Sequence, residues 1–96
     1  MAVTKVTYLT PDAKKRLVHR LNRATGHLNA IKRMLEEDRC ADEVLIQVAA
    51  ARSAVGQVGV KILEEHLFDC MTTCMEGSPE EVAKRVSKAV TTLLKN

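Results

Sequence analysis

Apolar residues recur along this chain at the spacing of amphipathic helices. The first stripe advances by alternating steps of four and three residues from residue 17 to residue 35. Such a seven-residue repeat with two apolar positions predicts a long helix that packs along its length against other helices. The stripe consists of Leu17, Leu21, Ala24, Leu28, Ile31 and Leu35.

A second stripe predicts another long helix over about residues 41–75. It contains Val44, Val48, Ala51, Val55, Val58, Ile62 and His66. Gly56 and Gly59 lie inside it, and each costs about 1 kcal/mol in a helix relative to alanine. We therefore expect a neighbouring helix to approach closely there. A short third helix is predicted from residue 79, and its apolar side contains Val82, Val86, Val90 and Leu93.

Polar residues mark the expected helix ends. The Thr-Pro-Asp sequence at 10–12 predicts the start of the first helix, because Thr caps a helix and Pro fits its first turn. The run Glu-Glu-Asp-Arg at 36–39 predicts its end. Gly77 is expected to end the second helix, and Ser-Pro-Glu-Glu at 78–81 forms a capping box that opens the third.

The resulting expectation is an all-α fold, with a three-helix protomer built from two long helices and a short third. Two long helices cannot cover their own apolar stripes with one short extra helix, so we expect self-association into a helical bundle. Residues 1–9 show no helical period and are expected to form a flexible N-terminal arm. Residues 10–96 are expected to form a single helical domain.

Charge is distributed unevenly along the 96 residues. The first 33 contain eight basic residues and one acid, whereas residues 34–78 contain three basic and nine acidic residues. Arg16, Arg20 and Arg23 follow helical spacing next to Lys14 and Lys15, which favours a phosphate-binding face for double-stranded DNA. The alternative is a solvated charged face. The pattern of a helix-turn-helix or a zinc finger is absent, so phosphate contacts and DNA shape should dominate.

The three cysteines are an odd number, which argues against a disulfide-stapled secreted domain. No apolar run is long enough for a membrane span, and the N-terminus lacks the pattern of a signal peptide. We therefore expect a cytoplasmic protein with reduced thiols and no membrane partner. No acid–base pair or activated nucleophile stands out, which argues against an enzyme.

His66 and Cys70 are four residues apart and would share one helix face, and Cys74 continues the row. Cys40 precedes the second helix, where an antiparallel partner could bring it to the far end of that helix. Two thiolates and an imidazole suit Cu(I), and Zn(II) is possible with a fourth ligand. A purely structural Cys with an exposed His, and no metal, is the alternative. Cys70 and Cys74 could also react as a redox pair.

Three segments make the chain resemble the copper-sensitive operon repressor family, which includes copper, nickel, formaldehyde and persulfide sensors. They are RLNRATGHLNAIKRMLEEDR (20–39), VLIQVAAARSAVGQVG (44–59) and ILEEHLFDC (62–70). The resemblance implies a three-helix protomer, an antiparallel four-helix-bundle dimer and a flat dimer-of-dimers tetramer. It also implies that basic residues on the first two helices, here including Arg52, contact operator DNA until an inducer releases it.

The family's inducer site combines a Cys at the start of the second helix with a His-x3-Cys pair from the partner protomer. His66 and Cys70 match that pair, but Ala41 stands where the first Cys is expected and Cys40 is one residue early. Between two helical positions this shift would turn the side chain by about 100°. In a connecting turn the thiol could still reach the site. Tyr8 lies near the place where nickel sensors of the family have a His, which argues against nickel.

The leading functional hypothesis is therefore a repressor that leaves operator DNA when Cu(I) binds Cys40 of one protomer with His66 and Cys70 of its partner. A thiol-reactive repressor that senses persulfides or electrophiles is the second hypothesis. The third is a metal-trafficking protein that does not bind DNA.

Overall fold

The computed structural model describes residues 8–95, which are helical throughout apart from short connections and contain no β-strand. The helices are α1 (Pro11–Glu36), α2 (Ala41–Lys61), α3 (Leu67–Thr73) and α4 (Pro79–Leu94), and a π-helical turn, Ile62–His66, joins α2 to α3. We call the continuous helical segment 41–73 the second rod. It forms an antiparallel hairpin with α1, and the molecule measures 52 × 28 × 27 Å.

The predicted boundaries of α1 are confirmed, and hydrogen bonds explain both of them. Thr10 is the N-cap, and its side-chain oxygen accepts a hydrogen bond of 3.1 Å from the backbone N–H of Ala13. At the other end Asp38 adopts a left-handed backbone with φ of 55°. The backbone N–H of Arg39 then donates to the carbonyl of Met34 at 2.9 Å, which closes the helix in a Schellman motif. Asp38 thus takes the place usually held by glycine.

We expect Thr10→Ala to lower the free energy of unfolding by about 1 kcal/mol, because the Ala13 N–H loses its acceptor. Thr25→Ala is the matched control, since the exposed Thr25 hydroxyl donates to the Leu21 carbonyl inside the same helix and caps nothing. The control should change stability by less than about 0.5 kcal/mol. Urea unfolding followed by circular dichroism, at one protein concentration, measures both values. Equal losses in the two variants would contradict the capping role.

Alternate members of each apolar stripe form the hairpin core. Leu17, Ala24 and Ile31 of α1 are buried, as are Val44, Ala51 and Val58 of α2. The intervening members are Leu21, Leu28, Leu35, Val48 and Val55, and they remain exposed in the protomer. One hairpin therefore covers only half of the apolar surface that its sequence repeat provides.

The π-turn is the main departure from the predicted second helix. A π-turn closes i→i+5 hydrogen bonds and so displaces the residues after it around the helix axis. The helix ends at Thr73 with Cys74 as its cap, so the predicted end near residue 75 is slightly late. Gly77 does have a positive φ of 127°, but it lies in the connection to α4 and does not terminate the helix itself.

The helix α4 begins as predicted, with the Ser78 hydroxyl accepting a hydrogen bond of 3.2 Å from the N–H of Glu81. The last turn of α4 lies against α2. Leu93 approaches Gly59 so closely that a Cβ atom, if Gly59 had one, would lie 2.5 Å from Leu93 Cδ1. The predicted close approach is therefore present at Gly59. At Gly56 nothing within the described protomer lies within 4 Å of such an atom.

The predicted arm at 1–9 falls mostly outside the described residues, and of it only Tyr8 and Leu9 are described, both half-buried. Across the described part of the chain, no helix combines the length and the apolar character that crossing a membrane requires.

Candidate metal centre and DNA-binding surface

Cys40 lies in the connecting turn and not in the helix. It is the N-cap of α2, its backbone is extended (φ −59°, ψ 142°), and its thiol is free and exposed. Arg39 Nε and Glu43 Oε2 are 3.0 Å apart and form an ion pair that spans this turn on the surface. The family position corresponds to Ala41, the first residue of α2, and Cys40 precedes the helix. The rotation of about 100° between neighbouring helical residues therefore does not apply to Cys40.

His66 ends the π-turn, and only 9% of it is exposed. The Glu65 carboxylate lies between two basic groups: one oxygen is 3.7 Å from Lys61 Nζ and the other is 3.7 Å from His66 Nε2. These separations are too long for hydrogen bonds, so Glu65 approaches Lys61 and His66 without bonding to either. The imidazole is therefore held by packing, at the junction between α2 and α3.

A small cavity of about 110 Å³ connects His66 with the beginning of α1. The second rod contributes Lys61, Glu65 and His66 to its lining, and α1 contributes Ala13, Arg16, Leu17 and Arg20. Two arginines of the predicted DNA-binding face thus share a cavity with the predicted metal-binding histidine. Sequence reasoning placed these groups in separate sites.

Cys70 and Cys74 occupy consecutive turns at the end of the second rod and are joined by a disulfide. Their Cα atoms are 5.2 Å apart, and both residues are half-buried. The backbone N–H of Cys74 donates to the Cys70 carbonyl at 2.9 Å, so the final helical turn is intact around the disulfide.

A single protomer does not bring the three predicted metal ligands together. Cys40 and Cys70 are separated by thirty residues of rod, which is about 45 Å at ~1.5 Å per residue. Within residues 8–95, no group of three or more His, Cys, Asp or Glu side chains could hold a metal ion. His66 and Cys70 are near each other along the rod, and Cys40 lies at its opposite end.

The predicted basic surface is exposed along one half of α1. Lys15, Arg16, Arg20 and Arg23 line a shallow open depression of about 510 Å³, together with Asp12 and His19. Lys14 is also exposed nearby, and Arg52 is exposed on α2. Arg20 and Arg23 border a second groove of about 340 Å³, where they face the small residues Ala50 and Ala54 of α2. Small side chains on α2 therefore leave the guanidinium groups accessible.

Sequence reasoning did not place Lys61 and Glu65 beside His66 in one cavity. Their i, i+4 spacing, with the acid placed directly before His66, was the only local signal for this cluster. That signal is common on helix surfaces and did not distinguish this pair from any solvated ion pair. Only in the folded protomer does α1 add Arg16 and Arg20 to the cavity that Lys61 and Glu65 also line.

A family model described as metal-sensitive transcriptional repressor matches residues 13–95, which include α1, the second rod and α4. This chain belongs to that family. The resemblance to copper-sensitive operon repressors is therefore confirmed, and the family is one of transcriptional repressors and not of enzymes.

Two curated relatives of this repressor are named as copper sensors. The copper-sensing transcriptional repressor RicR of Mycobacterium tuberculosis (strain ATCC 25618 / H37Rv) is 40% identical over 67 residues, which are 69% of this chain and 70% of RicR. The copper-sensing transcriptional repressor CsoR of Bacillus subtilis (strain 168) is 30% identical over 70 residues, which are 73% of this chain and 69% of CsoR.

A solved structure described as the nickel-responsive transcriptional regulator InrS is similar to this repressor in fold, with a TM-score of 0.67 and 36% sequence identity. The superposition covers 92% of this chain and 97% of the InrS chain. The all-helical protomer predicted from sequence is thus confirmed. These similar proteins are named for different metals, copper and nickel. Membership of the family therefore does not identify the inducer, which has to be inferred from the residues of the candidate site.

Proposed function

We propose that this protein is a cytoplasmic, Cu(I)-responsive repressor of operator DNA that works as a dimer-based assembly. In the reduced protein, Cys40 of one protomer and His66 and Cys70 of its antiparallel partner bind Cu(I), and binding lowers the affinity for DNA. The observation that supports this proposal best is the cavity that His66 shares with Arg16 and Arg20.

The first step is assembly. Apolar residues at every seventh position of α1 and α2 remain exposed in the protomer, beside the members of each stripe that form the hairpin core. A second copy carries the same surface, so an isologous interface would bury both stripes in a four-helix bundle. Antiparallel pairing places the Cys40 end of one rod beside the Cys70 end of the other. A flat dimer of dimers would complete the assembly that the family resemblance implies.

The second step is the choice of metal. Two thiolates and one imidazole form a soft trigonal ligand set, which suits Cu(I), whereas Zn(II) requires a fourth ligand. The free, exposed Cys40 thiol lies in a turn and can approach a site on a partner. Both copper-sensing relatives agree with this choice. Cys70 is bonded to Cys74 in the structure, so the metal-binding form is the reduced dithiol.

The third step connects the metal to the DNA-binding surface. A metal ligand must hold its imidazole in one orientation, and His66 lines the same small cavity as Arg16 and Arg20 of α1. Turning this ring changes the space beside Arg16 and Arg20, which project from the exposed basic surface. Cu(I) binding would thus favour one arrangement of these arginines and disfavour the DNA-binding one.

An anaerobic Cu(I) titration against a competing chelator tests the site. The reduced wild type should bind one Cu(I) per protomer, and Cys70→Ser and Cys40→Ser should each weaken binding by at least about 100-fold, as expected for loss of a direct ligand. Cys74→Ser is the matched control and should retain wild-type affinity. Stoichiometric binding that survives Cys70→Ser unchanged would reject the ligand assignment. If Cys40→Ser kept wild-type Cu(I) binding while Cys70→Ser lost it, Cys40 would not be a ligand.

A thiol-reactive repressor is the second candidate, and the disulfide between Cys70 and Cys74, which places two cysteines within bonding distance, favours it. It predicts that a persulfide donor releases DNA from the repressor without copper and links Cys40 of one protomer to a cysteine of the second rod in its partner. Mass spectrometry of the treated protein distinguishes this candidate from the copper sensor. If Cu(I) alone releases the DNA while all thiols stay reduced, a thiol-reactive mechanism is not needed to explain the release.

A further inference from the structure

Cys70 and Cys74 form a disulfide-bonded pair within one protomer, whereas the proposed metal site requires residues from two protomers. Their Cα separation of 5.2 Å lies inside the range of about 4.4–6.8 Å that disulfides occupy. The helical hydrogen bond between their backbones is retained, so the dithiol and disulfide forms can both fit the same final turn. The bond lies at the end of the second rod, outside the buried residues that join α1 to α2.

The remaining thiol cannot compete for this bond inside the protomer. Cys40 is exposed at the other end of the second rod, thirty residues from Cys70 along the chain. Cys70 is thus the shared member of two exclusive arrangements. It is bonded to Cys74 in one, and in the other it serves the proposed metal site with His66.

We propose that Cys70 and Cys74 form a reversible disulfide switch that decides whether this repressor can respond to Cu(I). The proposal rests on the assignment of Cys70 as a Cu(I) ligand. The metal ligand is a thiolate, and a disulfide sulfur has no thiolate to offer. Oxidation therefore removes Cys70 from the site, and the oxidised repressor stays on its operator when Cu(I) is present.

The chemistry requires a two-electron oxidant, for which we name the peroxide class; diamide is a second two-electron oxidant that forms the same bond. One thiolate attacks hydrogen peroxide, the O–O bond breaks, and a sulfenic acid forms while the other oxygen leaves as hydroxide, which takes a proton from solvent to become water. The second thiolate attacks the sulfenic sulfur, the S–S bond forms and the S–O bond breaks, and the second oxygen also leaves as hydroxide and is protonated by solvent. The two sulfurs together lose two electrons, and the peroxide is reduced to two waters. A dithiol reductant reverses the change by thiol–disulfide exchange.

Peptide mapping of the full-length protein identifies the bond. Trypsin cleaves after Arg39, Arg52, Lys61 and Lys84, so Cys70 and Cys74 remain in one peptide, 62–84, and Cys40 falls in peptide 40–52. Diamide oxidises pairs of thiols and leaves an isolated thiol without a lasting product. After diamide treatment we expect peptide 62–84 to lose the mass of two hydrogen atoms. Its cross-linking to peptide 40–52 would instead contradict the switch.

DNA binding then tests the consequence. In the reduced wild type, Cu(I) should weaken operator binding by about 10- to 100-fold. After diamide the same Cu(I) should weaken it by less than about twofold, and dithiothreitol should restore the response. Cys74→Ser should respond to Cu(I) equally before and after diamide.

The outcomes separate the two proposals. A full Cu(I) response from wild type whose peptide 62–84 carries the disulfide overturns the switch and leaves the copper proposal standing. If Cu(I) does not weaken DNA binding by the reduced wild type, the copper proposal fails. The switch then fails in its proposed role as well. The mass of peptide 62–84 still shows separately whether the Cys70–Cys74 bond forms. A diamide-sensitive response in Cys74→Ser, with peptides 40–52 and 62–84 shown by mass to be unlinked, also overturns the switch.

Discussion

We expect Leu28→Asp to convert the assembled repressor into folded monomers that bind operator DNA at least about 100-fold more weakly, since burying an unpaired charge costs several kcal/mol. Leu28 is 53% exposed in the protomer and lies midway along the uncovered half of the α1 stripe. A two-fold interface would contain the new carboxylate twice. The hairpin core should keep its contacts, because the buried positions on either side of Leu28 in the stripe, Ala24 and Ile31, are unchanged.

Asn29→Asp is the matched control for this substitution. Asn29 is the next residue of α1 and is also exposed, so the same charge is added beside the stripe and not within it. Analytical ultracentrifugation gives the assembly state, and far-ultraviolet circular dichroism shows whether the helices are retained. If the Leu28→Asp variant stayed fully assembled at working concentration, the proposed interface would be wrong.

The second large effect concerns the basic surface. Replacing Arg16, Arg20 and Arg23 together by glutamine should weaken operator binding by at least about 100-fold near physiological salt, because each phosphate contact contributes about 0.9 to the salt slope of the affinity. The slope of log affinity against log salt should become shallower in the same variant. Fluorescence anisotropy with labelled operator DNA at several salt concentrations measures both quantities.

The control removes the same charge from another place. Lys84, Arg85 and Lys88 are exposed on α4, and their joint replacement by glutamine changes net charge by the same amount. We expect only a small loss of affinity from this control. If both triple variants lose affinity equally, net charge and not the α1 surface determines DNA binding.

The helices of this repressor were largely predictable because their signals are local. The seven-residue stripe of α1, the Thr10 cap and the Ser78 cap all appear in the structure where the sequence predicts them. Capping and periodicity depend on residues within one or two turns of each other. The π-turn before His66 was not predictable, since no proline or glycine at 62–66 marks it.

The candidate site was predictable in its chemistry but not in its surroundings. The identities and spacing of His66, Cys70 and Cys74 were sufficient to propose a soft-metal or thiol site. The proximity of His66 to Arg16 and Arg20 was not apparent, because these residues are about fifty positions apart in the sequence. Only the packing of α1 on the second rod creates the cavity between them.

The sequence by itself determined the helical periods, the helix starts, the basic first third and the thiol and imidazole groups available for chemistry. The tertiary structure decided which half of each apolar stripe is buried, that Cys40 lies outside the helix, and that His66 is buried beside the arginines. The reason is physical. Helical propensity is set by neighbours along the chain, whereas burial and proximity depend on how helices distant in sequence pack together.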